Sequence, residues 1–571
     1  MFAAAVSNLR ARHQPHLPVP LSVPTAELTA PAPSTDVAAR ARALTAVFGG
    51  WRFYLWLGGV ALIIGALSLL IPSTPSYDPW AWLVWGREII HLNLHLLGGP
   101  SWKPLPMIFT TIFAVFGKAQ PDLWLAVARA GAVMAVVMVF RVAWRVTRDL
   151  GWATSSEKSV WRYVPLLLAG LIAAGSLINS GGFISDNALG YSEGLATALM
   201  LIAVERYMDG APRQALVVSF FSALDRPELW VFWGPYALYV FWRDPGARKL
   251  VLALAGLIFV LWFLFPLWGA GSLLAGITRA LHPRSNSAAF TSCPVCTVFK
   301  QEAWPEVLNR VKIPAILALI AAAFGLWRTR GSWWRTWRAS RDISARAWLL
   351  GIGLFGFVWW FGIALETQLG FSGNGRYLVL GTAPVAIAGG IAWGWFAQTV
   401  PRLIRWLAAR APSLRRLGSA AFALPAGSAV AIALFLAIPP WISKNVISLP
   451  RTHRALLYQA HLREDLGTVI NRLGGPAAIR RCGPIMVEGF QVPMVAYALG
   501  VRTLQVEAQP TGLVGPPWPA TILQDRDTSN AALLPSPQQI IAWEHAGAHY
   551  TTFFRQRTFY VFSTCASKVS G

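Results

Sequence analysis

Apolar runs of about 20 residues recur along most of this chain, separated by short segments in which arginines cluster. The runs are continuous instead of alternating, which excludes a membrane β-barrel. In lipid the backbone must then be satisfied within helices. The pattern predicts about eleven membrane-spanning helices, at 52–71, 121–142, 163–178, 190–207, 212–225, 229–243, 249–269, 311–327, 347–367, 376–398 and 419–441. The apolar segment 104–117 is short and carries Pro104 and Pro106, and is read as a helix lying on the membrane surface.

That choice sets the orientation. With 104–117 outside, the basic segments all fall inside: Arg141, Arg145 and Arg148; Arg243, Arg248 and Lys249; Arg328, Arg330, Arg335, Arg338, Arg341 and Arg346; Arg402, Arg405, Arg410, Arg415 and Arg416. The N-terminus is then cytoplasmic and three segments, 72–120, 179–190 and 270–310, share the outer face with everything from 442 onward. Three parts follow: a Pro-, Ala- and Ser-rich disordered cytoplasmic tail (1–50), a transmembrane domain (51–441) and an extracytoplasmic soluble domain (442–571). The first apolar run starts too far from the N-terminus for a cleaved signal peptide and reads as an uncleaved anchor of the inner or plasma membrane. In the last part, Ile485–Val487 and Arg502–Val506 read as strands and Glu464–Leu473 as a helix, a small α/β domain. The expected fold class is thus an all-α polytopic membrane protein with a C-terminal extracytoplasmic α/β domain.

Composition agrees: 55% of the 571 residues are hydrophobic, 29 are tryptophan and only 13% are charged, too apolar for a soluble globule. A net charge of +24 would suggest nucleic acid in a soluble protein. Here the positive-inside pattern absorbs that charge, and nucleic acid is not an expected partner; the bilayer is.

Ionisable residues at or near membrane depth are the natural site candidates, because burying them costs free energy unless they are paired or used. Asp78, in Ser76-Tyr77-Asp78-Pro79-Trp80, stands just past the first span and opens a surface helix running to about Leu94. It reads either as a base for an incoming hydroxyl or as that helix's N-cap. Asp78 and Glu88 are the pair that could hold a divalent cation, the one candidate cofactor, but ten helical residues separate them by about 15 Å. His91 and His95 read as interfacial. Cys293 and Cys296 suit a redox motif, half a zinc site or a small disulfide; Cys482 and Cys565 in the last domain are further disulfide candidates.

An aspartate after the first span, an amphipathic helix containing Arg87-Glu88 and then Lys103-Pro104-Leu105-Pro106 resemble the first outer loop of GT-C glycosyltransferases, closest to the protein O-mannosyltransferase and aminoarabinose transferase branch. Tyr191-Ser192-Glu193-Gly194-Leu195, Asp225-Arg226-Pro227-Glu228 and Gly375-Arg376-Tyr377-Leu378 follow in the same order, so the resemblance covers roughly 52–400. It implies transfer of a sugar from a polyprenyl-phosphate donor to an acceptor hydroxyl of an envelope glycan, lipid or protein on the outer face. Asp78 matches the family's base. Lys103, Arg226 and Arg376 are the candidate donor-phosphate ligands, and Glu88, Asp186, Glu193, Glu228, Asn374 and Tyr377 the supporting set. Trp102 stands where that branch often has an acid before Lys-Pro, so a second catalytic or metal-binding carboxylate is not carried over. Trp518 or Trp543 would offer a glycan acceptor a stacking surface. The alternative, a multi-pass transporter or lipid-linked glycan flippase, calls for repeats and midplane charges, and no repeat is visible.

Overall fold

The computed structural model describes residues 50–151, 160–284, 287–330, 343–410, 416, 418–438, 448–508 and 518–565. The tail expected at 1–50, except its last residue, and Arg335, Arg338, Arg341 and Arg415 lie outside them. The chain divides into two compact units, 1–55 and 56–571; the described part of the first is the opening of helix α1.

The helices that matter below are α1 (Trp51–Leu67), α2 (Tyr77–Ile90), α3 (Pro104–Phe113), α4 (Gln120–Gly151), α5 (Val164–Ile178), α6 (Phe183–Ala188), α7 (Glu193–Met208), α8 (Pro212–Ala223), α9 (Trp230–Arg243), α10 (Arg248–Phe259), α11 (Asn309–Arg328), α12 (Ala345–Gln368), α13 (Val379–Arg410), α14 (Ala420–Ala437), α15 (Leu449–Arg472), α16 (Val492–Leu499) and α17 (Pro537–His545). Seven helical stretches among the described residues are long and apolar enough to cross a membrane. The expected spans 190–207, 212–225, 229–243 and 419–441 appear as α7, α8, α9 and α14, which are not among those seven.

Two local expectations change. The surface helix stops at Ile90, because Leu92 adopts a positive φ of 53° and turns the chain back before Leu94. Segment 104–117 is a ten-residue helix that packs on α2, with Thr110 close against Gly86, and then a tight turn kinked at Gly117 leads directly into α4.

α13 is the axis of the bundle, buried throughout its first half from Val379 to Gly394 and packed by α5, α12, α11, α14 and α4. Small residues permit this. At Gly390 an added Cβ would clash with the Ala169 carbonyl oxygen of α5, so the two backbones touch, the contact that drives helix association where lipid offers no hydrophobic gain.

The C-terminal part is a five-stranded sheet of β1 (Ile485–Val487), β2 (Val506–Ala508), β3 (Thr521–Gln524), β4 (Thr552–Arg555) and β5 (Tyr560–Ser563), in the order β2-β1-β3-β5-β4. β1 pairs in parallel with β2 and β3, while β3-β5-β4 are antiparallel. The strand expected at Arg502–Val506 is shifted: Thr503–Gln505 forms a 3-10 turn and the strand begins at Val506. The helix read at Glu464–Leu473 is the end of the 24-residue α15. This domain seats on α2. Arg87 donates to the carbonyls of Tyr497 (3.1 Å) and Val501 (2.8 Å), and Trp80 packs on the Tyr497 ring at 5.1 Å. Arg463 of α15 pairs with Asp122 of α4 at 2.8 Å.

A leucine at Gly390 should force α13 and α5 apart and cost about 1–3 kcal/mol or more. Thermal unfolding in detergent should report this for Gly390→Leu, while Gly351→Leu, at a position with nothing within 4 Å, should be nearly neutral.

Candidate active site

Helix α7 carries a charged network at each end, about 18 Å apart by its rise from Glu193 to Glu205. At the C-terminal end Glu205 pairs with Arg141 at 2.9 Å and Asp209 with Arg145 at 2.5 Å. At the N-terminal end is the cluster that the candidate residues build.

Ser76, extended, precedes α2, with its amide held by the Leu189 carbonyl at 2.9 Å and its hydroxyl 3.1 Å from that of Tyr191. Asp78 therefore falls inside the first turn of α2, where the helix dipole favours a carboxylate, and does not serve as N-cap. Its Oδ2 accepts from Arg376 Nη2 at 2.6 Å. Arg376 sits on the turn Gly375–Leu378 just before α13, with its guanidinium 4.1 Å from the Tyr191 ring centre, and its Nε lies 3.7 Å from Glu193 Oε1.

Glu193, in the first turn of α7, is 1% exposed. Its Oε1 also accepts from Arg226 Nη2 at 2.6 Å and Lys103 Nζ at 3.2 Å. The Arg226 guanidinium stands over the Tyr377 ring, 4.0 Å from its centre, and 3.6 Å from Glu228. Lys103, preceding α3, stands 5.6 Å from the buried Trp82 ring. Thus Asp78, Lys103, Glu193, Arg226, Glu228, Arg376 and Tyr377 meet in one place although 298 positions separate Asp78 from Arg376.

Asp186, in α6, borders the cluster. Burial raises its carboxyl to about 7, opposed by the Arg376 charge and reinforced by Glu193. Asn374 is exposed and reaches only the Tyr377 hydroxyl, at 3.4 Å. Glu88 is not part of the site. It lies at the far end of α2, accepts from the His95 amide at 2.9 Å, and burial raises it to about 7. Asp78 and Glu88 are therefore not brought together, and among the described residues no group of three or more His, Cys, Asp or Glu is arranged to hold a metal ion.

Trp102 stacks on Phe265 at 5.7 Å and donates to the Leu261 carbonyl at 2.8 Å, a packing role. Trp543 is 1% exposed within the core beneath the sheet and offers no stacking surface; Trp518 packs against the same cluster. Cys293 is bonded to Cys296, and Cys482 to Cys565. The sequence reading assigned no role to Tyr191, although it lies inside a quoted motif. It also had no signal for Glu306, whose burial near Asp186 and Glu302 raises it to about 8.

The fold and this cluster define a polytopic helical membrane protein with a buried, arginine- and carboxylate-rich site at one end of its bundle and a small α/β domain seated beside it. No protein-family model matches the chain, and no curated protein matches it. Among solved structures it is similar to the crystal structure of ArnT from Cupriavidus metallidurans in the apo state. The two share 11% identity with a TM-score of 0.45, over 89% of this chain and 97% of that one.

Glu193→Gln should leave the cations that converge on it without their shared counter-charge and cost about 3–5 kcal/mol of stability, measured by thermal unfolding against wild type. Because Glu306 is raised in the folded protein, folding favours its protonated form. Stability from this group is fully present below the ordinary carboxylate pKa and declines as pH rises to about 8. Melting curves from pH 5 to 8 should show that decline in wild type and a shallower one in Glu306→Gln.

Proposed function

We propose that the chain is a GT-C type glycosyltransferase that moves a sugar from a polyprenyl-phosphate donor to an acceptor hydroxyl of an envelope glycan, lipid or protein. The observation that carries this reading is the convergence on one buried carboxylate of Lys103, Arg226 and Arg376, with Asp78 ion-paired to the last of them. A lipid phosphate is a leaving group that gathers negative charge as the bond to the sugar breaks, and fixed cations in a water-poor site stabilise that charge. Arginine contributes a planar fork and lysine a point charge.

In this mechanism Asp78 accepts the proton of the acceptor hydroxyl, the freed oxygen forms the new bond to the anomeric carbon, and the polyprenyl phosphate leaves with the electron pair of the old one. A single displacement inverts the anomeric configuration. Arg376 orients Asp78 through the 2.6 Å contact and spans base and phosphate subsite. Glu193 holds the cations together before donor arrives, so that little reorganisation accompanies the reaction.

The arginines and lysine at the opposite end of the bundle support a cytoplasmic assignment for that end, an outer-face site, a cytoplasmic N-terminus and an extracytoplasmic C-terminal domain in the inner membrane. The Cys482–Cys565 bond fits an oxidising compartment. A transporter or flippase would gather its charges near the midplane, whereas this cluster stands at helix ends.

In membranes with equal protein levels, Asp78→Asn should lower transfer of radiolabelled sugar from polyprenyl-phosphate donors by about 10²–10⁴-fold. Full activity in the variant would remove Asp78 from the mechanism, and no transfer by wild type from any donor would favour the transporter reading.

A further inference from the structure

Two buried acids of the C-terminal domain take no part in the cluster above. β1 lies between β2 and β3, all three parallel, so the strand order reverses between β1 and β3. The carboxyl ends of two such strands are where open α/β sheets leave a crevice, since the chain departs from them to opposite sides. Glu488 directly follows β1 and Asp525 directly follows β3.

Asp525 is fully buried. Its Oδ1 accepts from the Glu488 amide at 3.3 Å, while Oδ2 has no hydrogen-bond partner among the described residues. Glu488 is 4% exposed, and one of its oxygens accepts from the Phe490 amide at 2.6 Å. Burial raises Glu488 to about 7 and Asp525 well above the usual carboxylate range. Groups in that state both donate and accept hydrogen bonds near neutral pH.

The segment that follows β1 also adjoins the helix turn that carries Asp78. The Phe490 ring meets Tyr77 edge-on at 6.0 Å, and Tyr77 is the residue before Asp78. Arg284 lies against the Phe490 face at 3.5 Å and 5.2 Å from the Tyr77 ring. Asp527 and Arg284 set one charge of each sign beside Glu488, which favours neither an anionic nor a cationic ligand. A neutral, hydroxyl-rich ligand suits acids that can donate and accept beside the half-buried rings of Tyr77 and Phe490.

We propose that this crevice binds the acceptor, a polyhydroxylated glycan, through Glu488 and Asp525, and presents one of its hydroxyls to Asp78 past Tyr77 and Phe490. The inference rests on the glycosyltransferase reading and names its acceptor class.

The test is saccharide binding to the full-length protein in lipid nanodiscs, free of sugar-headed detergent, with mannotriose and arabinotriose as probes, followed by saturation-transfer NMR. At least one probe should bind wild type. Glu488→Ala and Asp525→Ala should each weaken it about tenfold, through loss of a hydrogen bond to the ligand, and Phe490→Ala should weaken it as well. Because Asp525 is buried, Glu488→Ala and Phe490→Ala, checked for unchanged melting temperature, decide the matter if Asp525→Ala does not fold. Binding of neither probe to wild type, or undiminished binding by those two variants, overturns the proposal. Failure of the glycosyltransferase reading is distinct: the saccharides bind and depend on Glu488, but no donor supports transfer.

Discussion

A carboxylate almost without access to water, Glu193, is the point on which the charged end of this protein depends. Isolated, it could not remain ionised in such a place, and none of its cationic partners could be buried there without it. The partners come from the segments before α3, between α8 and α9, and before α13. Mutual neutralisation thus pins four parts of the chain to one spot. The arrangement restrains Lys103, Arg226 and Arg376 within reach of a single anion, which is what a phosphate subsite requires.

That constraint is workable only because the helices behind it approach closely. α13 carries Arg376 at its entrance and is held by backbone contacts at its glycines, Gly390 against α5 and Gly381 against α12. The Trp360 indole adds a hydrogen bond to the Leu378 carbonyl, fixing the turn that presents Arg376. On the other side α2 serves two purposes. Its first turn places Asp78 against Arg376, and its outer surface, through Trp80 and Arg87, is the seat of the C-terminal domain. Asp78 and the C-terminal domain are therefore mounted on the same short helix.

Sequence by itself determined the solvent of this protein. Long apolar runs broken by arginine clusters specify membrane helices, because lipid leaves the backbone no other way to satisfy its hydrogen bonds. It also brought forward most of the charged cluster, since Asp78, Lys103, Glu193, Arg226 and Arg376 each stand beside an apolar run where an unpaired charge would be costly. What it could not decide was which charges share a partner. Pairing across 298 positions depends on helix packing, and packing is set by close approaches at particular glycines that no local pattern reveals. Glu88 shows the limit: in sequence it belongs with Asp78, but helix length and a backbone amide at its own end separate them. Tyr191, Glu306 and the acids beyond β1 and β3 became legible only through tertiary structure, because burial and strand order, not residue type, set them apart from ordinary loop residues.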